Sequence, residues 1–385
     1  MKLHSPLLLI PLWCASVAHA DLLRYADRLI DYTQGPGAQP GYTWPPAALG
    51  APSTGHTPAT VLNDDLDTGE PLVVSLGQGG SITLGFNTPV RNQGPSEANP
   101  WGYDLLIWGN TFQGGAAVTP EGRFGRFHEH GFVEVAQGDE NGQPIEWFLI
   151  LPRIFFDPLR NDPVPRDFTP AELLPPVFDI FGDFIESGDL SVSECLFDGF
   201  ADVVPAQGAV LQAVLESGDL ADVILDDPTT FAIEGLGGSG IDLSRAVRQS
   251  TPGVPLVIDG AFQFVFPERI DLIRITDAHT SDVHPGAQGP ITTEVDGVIV
   301  LPDLRGCNVP FADADGDGDV DMDDFGTFQR CISGDGQPAD LACTCFDRDG
   351  DGDVDSVEPG GTSDFEAFRR CVSGPAVPAN PECEE

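Results

Sequence analysis

The sequence predicts a mainly β protein: a jelly-roll-like β-sandwich with a helical insertion, followed by a small α-helical module. Three observations carry that expectation. Nine or so short apolar runs are separated by turn signals, and many alternate apolar with polar residues. The chain holds 45 Gly and 35 Pro, a density of turn formers that long helices do not tolerate. Near the C-terminus an aspartate pattern recurs beside two short stretches of helical periodicity. The 385 residues are enough for two or three domains. Boundaries are expected at 1–20, 21–306 and 307–385.

Lys2 precedes an apolar run over 7–17, closed by Ala18-His19-Ala20. A basic start, an apolar stretch too short to span a bilayer and a small-x-small site make the pattern of a secretory signal peptide, with cleavage before Asp21. No later stretch is long and apolar enough for a membrane span. The expected location is outside the cell, secreted or held at the cell surface by a partner.

Apolar residues at 22, 23, 26, 29 and 30 predict a short amphipathic helix over 21–32. Residues 35–58 are rich in Gly, Pro and Ala and read as loop. Strands are expected at 72–76, 81–86, 103–108, 131–136 and 147–151, then at 256–258, 262–266, 270–275 and 295–301. Ser81-Ile82-Thr83-Leu84 and Asp271-Leu272-Ile273-Arg274-Ile275 show the half-buried antiparallel alternation. Between the two sets, about 170–226, apolar residues fall three and four apart: Val177, Ile180, Phe181, Phe184 and Ile185, then Val210, Leu211, Val214 and Leu215. That stretch is read as a helical insertion; Glu186-Ser-Gly-Asp-Leu190 recurs thirty residues on as Glu216-Ser-Gly-Asp-Leu220.

The tail carries the most specific chemistry. With Asp313 at loop position 1, Asp315, Asp317, Gly318, Asp319, Val320, Asp321 and Asp324 occupy positions 3, 5, 6, 7, 8, 9 and 12 of an EF-hand calcium loop. Ca²⁺ is a hard cation that takes six to eight oxygens, so alternate carboxylates turn inward around it. Gly318 permits the sharp turn, and position 7 binds through its carbonyl, so the Asp319 side chain need not coordinate. Val320 is expected to pair with its counterpart in a second loop. That loop is Asp347, Asp349, Asp351, Gly352, Asp353, Val354 and Asp355. Its position 12 is open between Glu358, in linear register, and Asp364, which precedes Phe365 as Asp324 precedes Phe325. Two Ca²⁺ ions are the expected cofactors.

Cys307, Cys331, Cys343, Cys345, Cys371 and Cys383 crowd the last 79 residues, which in an exported chain reads as a disulfide framework. Six cysteines allow fifteen pairings. The equal twelve-residue spacings favour 331–343 and 371–383, which leaves 307–345. Cys195 is left over and reads as a buried thiol.

This tail, residues 307–385, resembles the type I dockerin family, a duplicated loop-helix unit with Asp at position 12 and no helix before the loop. The resemblance implies calcium-dependent attachment to a cohesin-like partner. The insertion in the second loop and the cysteines depart from the family pattern. The phrases Gly102-Tyr-Asp-Leu-Leu-Ile-Trp-Gly-Asn110, Ile270-Asp-Leu-Ile-Arg-Ile-Thr-Asp277 and Glu294-Val-Asp-Gly-Val-Ile-Val300 make the body similar to an uncharacterised family of secreted bacterial cell-surface β-sandwich domains. That resemblance implies a surface location and a jelly-roll or galactose-binding-like fold, and no activity.

Composition narrows the partners. Against 61 Asp+Glu stand 18 Lys+Arg, a formal net charge of -43, which excludes the basic face that nucleic acid requires and disfavours an anionic membrane. Gly237-Gly-Ser239-Gly-Ile241 lacks the last glycine of a nucleophile elbow, and no catalytic residue is assigned. His128-Glu129-His130 is the densest titratable cluster and could hold a transition metal; His279 and His284 flank a second polar loop. Asp104, Glu134, Asp277, Glu294 and Asp296 sit near strand ends, where turn capping is the ordinary role and a structural Ca²⁺ the sharper one. Trp44 and Trp101 could stack on sugar rings, whereas Trp108 and Trp147 lie in apolar runs and read as core. The reading is a non-catalytic, calcium-binding surface protein with polysaccharide as a ligand class. The alternative is a dockerin-bearing polysaccharide-degrading enzyme of glycoside hydrolase type.

Overall fold

A computed structural model of the chain describes residues 23–54, 71–96, 98–117, 124–127, 129–139, 141–156, 166–167, 196–202, 204–217, 222–229, 233, 235–267, 269–278, 292–302, 307, 310–314, 317–339, 343–356, 363–381 and 383. Residues 1–20, read as a signal peptide, residues 170–195 with Cys195, and His128, His279, His284, Asp315 and Glu358 lie outside them.

The chain is mainly β, in antiparallel sheets. The principal strands are β1 (Arg24–Tyr25), β2 (Arg28–Thr33), β3 (Ser81–Arg91), β4 (Leu105–Trp108), β5 (Gly131–Gly138), β6 (Pro144–Ile150), β7 (Phe200–Ala201), β8 (Ser239–Ile241), β9 (Ala246–Val247), β10 (Arg269–Asp277) and β11 (Gly297–Val300). One sheet runs β9-β6-β5-β10-β3-β2, with β7 also paired to β5. The other runs β1-β11-β4-β8.

Period-2 alternation sends successive side chains to opposite faces. From the larger sheet Ile82, Leu84, Val133, Val135, Ile273 and Ile275 enter one buried cluster. From the smaller sheet Leu105, Ile107, Ile241, Val298 and Val300 enter the same cluster. Two sheets sharing one core are the arrangement of a β-sandwich. The intervening residues of the smaller sheet, Leu106, Trp108 and Ile299, are buried on its other face. There they meet Leu211 and Val214 of helix α1 (Gly208–Ser217). This is why β4 and β11 read as continuous apolar runs: both their faces are covered.

Two expectations are corrected. Residues 24–33 are strand, not helix: β1 joins β11 in one sheet and β2 joins β3 in the other. The chain crosses between sheets, and the register shifts between Leu29 and Asp31. A crossing and a bulge break period 2, so the apolar spacing imitates a helical one. Second, the region read as a helical insertion does carry α1, but it also carries Leu196–Asp198 and β7, and β7 pairs with β5 inside the larger sheet. The Gly-rich segment over 237–241, which lacks the elbow pattern, runs into β8, with Ser239 fully buried. Its glycines are packing residues: a Cβ on Gly240 would sit 2.4 Å from the Tyr103 ring, and one on Gly238 2.3 Å from Trp108.

The tail holds helices α2 (Met322–Cys331) and α3 (Asp364–Cys371). Their buried faces present Phe328, Cys331, Ala367, Phe368 and Cys371 to a separate apolar cluster with Phe311, Phe346, Val320 and Val354. The Phe328 and Phe368 rings lie 4.9 Å apart. Disulfides join Cys331 to Cys343 and Cys371 to Cys383, each fastening a helix end to the segment that follows, and Cys307 to Cys345. A module with so small an apolar core needs such staples.

Candidate metal centres

In the first loop the carboxylates are fixed by the loop's own backbone. Asp313 accepts from Asp317 N at 3.1 Å and from Gly318 N at 3.0 Å. Asp317 accepts from Asp319 N at 3.1 Å. Gly318 sits at φ 93, a left-handed conformation that favours glycine. Asp324 reaches back to accept from Ala314 N at 2.8 Å and Asp321 N at 2.7 Å. Asp321 in turn accepts from Asp323 N, so the end of the loop is also the capping box of α2. One residue therefore closes the loop and starts the helix.

The second loop repeats most of this pattern. Asp347 accepts from Gly350 N and Gly352 N, and Asp351 accepts from Asp353 N. Asp364 accepts from Arg348 N at 2.6 Å and Asp355 N at 2.8 Å, the two positions that Asp324 serves in the first loop. Position 12 is thus filled by Asp364 in this geometry, across the insertion. The cap differs: Ser363, not Asp355, receives the Glu366 N–H at the start of α3. The inserted residues let the chain change caps while the closing carboxylate keeps its place.

Three groups in the tail have carboxylate oxygens within 4.8 Å of one another: Asp319, Asp321 and Asp324; Asp347, Asp349 and Asp351; and Asp353, Asp355 and Asp364. Such all-oxygen sets suit a hard cation. Asp364 shows the cost of the bare arrangement. Burial first, then the charges of Asp347 and Asp351, push its carboxyl up to about 8. Asp319 and Asp353 are also latches. The Asp319 side chain accepts from Ala376 N and that of Asp353 from Gly336 N, each in the segment after the other repeat's helix.

Val320 and Val354 both face inward and are fully buried in one core cluster, while their backbones bond to the opposite repeat. Val320 O accepts from Ser373 N and Gly374 N, and Val354 O from Ser333 N and Gly334 N. The serine hydroxyls return the contact to Val320 N and Val354 N at 3.0 and 2.9 Å. Each loop is therefore clamped to the end of the opposite helix.

The second loop also touches the body. Asn92 Nδ2 donates to Asp349 O at 2.9 Å. A Cβ on Gly350 would lie 2.3 Å from Asn92 Oδ1, so glycine is required for that approach.

The body candidates separate sharply. Asp104 accepts from Gln93 N and Leu243 N, a turn-capping role. Glu134 is paired with Arg274 at 2.5 Å, and Arg274 lies over the Trp147 ring at 4.3 Å. Asp277 accepts from Thr293 N, and Asp296 from the Ser53 backbone and hydroxyl. Glu294 alone of the five joins a carboxylate cluster, with Glu129 and Asp202. His130 packs edge-on against Phe200, with ring centroids 5.5 Å apart. Trp44 is exposed, Trp101 packs on Phe155 and Trp108 is fully buried. Sequence reasoning named Glu129 beside its histidines but missed Asp202, whose partners are 73 and 92 residues away and carry no local pattern.

No family model matches the chain, and a search of curated proteins finds no match. Among the described residues no helix is long and apolar enough to cross a membrane.

Proposed function

We propose that this is a secreted, calcium-binding protein of the cell exterior. Its dockerin-like tail binds two Ca²⁺ and attaches the chain to a cohesin-like or other surface protein. The body, of jelly-roll or galactose-binding-like type, serves recognition or structure, with polysaccharide as the ligand class. The observation that carries this reading is the equivalence of Asp324 and Asp364: two loops close through the same pair of backbone bonds, although one holds an insertion. Evenly spaced carboxylates held by backbone amides, with glycine at position 6, are the requirement of calcium coordination. Export supplies the oxidising setting that the three disulfides need.

The test is capture of the full chain on immobilised cohesin and on a glycan array, in millimolar calcium and in chelator. Cohesin capture that is lost in chelator supports the attachment role. Capture unaffected by chelator, or none in calcium, overturns it. Glycan binding without turnover supports a recognition body, and release of reducing sugar overturns that assignment in favour of an enzyme.

A further inference from the structure

A second set of acidic side chains lies in the body, beside strand ends. Glu129 precedes β5, Asp202 follows β7, and Glu294 stands in Glu294–Val295, which pairs with Val74–Ser75. Strand pairing brings them together. Ala201 is opposite Gly131, and Gly131 is opposite Asp277 at the end of β10. Their carboxylate oxygens lie within 4.8 Å of one another, and all three residues are buried.

We propose that Glu129, Asp202 and Glu294 hold a third divalent cation, a hard ion of the Ca²⁺ class, inside the body. The cluster is built rather than incidental. Asp202 accepts from Thr111 N at 2.9 Å, from Thr111 Oγ1 at 2.8 Å and from Glu294 N at 3.1 Å. Glu129 accepts from Thr292 N at 3.2 Å and donates its own N–H to Asp202 O. Asp202 is held at φ 54, the left-handed region that a non-glycine residue occupies only when its surroundings impose it. Gly109 leaves the space open: a Cβ there would lie 2.3 Å from Asp202 Oδ1.

An independent observation points to a ligand. Glu294 is 97% buried, since 3% of its surface is exposed, and its Oε2 meets no hydrogen-bond donor among the described residues. Asn110, between two residues that touch Asp202, likewise has a buried Oδ1 with no donor. A buried acceptor left unsatisfied costs about 1–3 kcal/mol, more when charged, and persists where an ion or an ordered water supplies the missing partner; three carboxylates around the same point favour the ion. A divalent cation set among the three carboxylates supplies that partner. The set is all oxygen, which selects a hard ion over Zn²⁺ or copper.

The experiment is a calcium count on the full chain by equilibrium dialysis, with Glu294→Gln, Asp202→Asn and a variant whose tail loops are disabled by Asp313→Ala with Asp347→Ala. Three ions are expected for the unaltered chain, two for either body variant and one for the tail variant. Two ions in the unaltered chain, or none in the tail variant, overturns the site while leaving the tail reading intact. Thermal unfolding supplies a second measure. Glu294→Gln is expected to lower the body's midpoint in calcium and raise it in chelator, because the amide removes both a ligand and a repulsion. A change of the same sign under both conditions contradicts the proposal.

Discussion

The two acidic regions of this chain solve the same electrostatic problem in opposite ways. In the tail the carboxylates follow one another along a loop, at alternate positions, and the loop's own amides orient them. In the body three carboxylates come from segments 73 and 92 residues apart and are oriented by neighbouring strands. The tail's 20 acidic residues face four arginines across 79 positions, so without cations its loops repel themselves. The body sets its cluster at strand ends beside an apolar core drawn from two sheets. Order is therefore expected to depend on metal in the tail and to be only locally adjusted by metal in the body.

The largest effect follows from removing what holds the tail together. In chelator and reductant the helical circular dichroism of α2 and α3 is expected to vanish while the β signal of the body persists. Helix signal that survives both treatments would break the contrast. Next comes the tail core. Phe328 is fully buried and touches Phe346 and Phe368, so Phe328→Ala is expected to cost about 3–5 kcal/mol, read as an earlier unfolding transition of the tail. The body has its counterpart in Glu134→Ala, which leaves Arg274 over Trp147 without its carboxylate partner. Breaking a buried pair costs about 3–5 kcal/mol, and Arg274 at 22% side-chain exposure places this one toward the lower end. Only the body transition should move; a shift in both would show that the regions unfold as one.

A pH series sharpens the comparison further. Asp364 has an ordinary carboxyl value of 3.8 that rises to about 8 in the ion-free fold. A raised folded value means that the folded state binds more protons than the unfolded one between those limits. Ion-free stability of the tail is then expected to be greatest below about pH 4 and to fall as pH climbs toward 8. Calcium, which favours the ionised carboxylates, should flatten that slope. Equal slopes with and without calcium, in denaturant melts from pH 4 to 8, would contradict it. The smallest effect belongs to the joint between the regions. Asn92→Ala removes one hydrogen bond to Asp349 O, about 1 kcal/mol, and should separate the two transitions without lowering either by more.

What was legible in the sequence divides along the same line. The tail could be read because its carboxylates are local: spacing lines up Asp313 to Asp324, and the repeat in register offers Asp364, through its neighbour Phe365, beside Glu358. The nine expected strand segments could be read because alternation reports a half-buried pleat, and each contains strand. Leu29 and Ile30 misled because a sheet crossing and a bulge erase period 2. Strands as short as Ser239–Ile241 and Phe200–Ala201 escaped because two or three residues are too few for alternation to show; they are positioned by Tyr103, Trp108 and β5. Asp202 was invisible because nothing near it in the chain resembles a ligand set.

Hydrogen exchange on the full chain, with calcium and with chelator, compares the two regions in one experiment. The amides of Ala314, Gly318, Arg348 and Gly352, each bound to a loop carboxylate, are expected to lose protection in chelator together with α2 and α3. Those of β5 and β10, paired in the middle of the larger sheet, are expected to keep theirs. Tail amides equally protected in both conditions would contradict the claim that the ion holds the tail's fold.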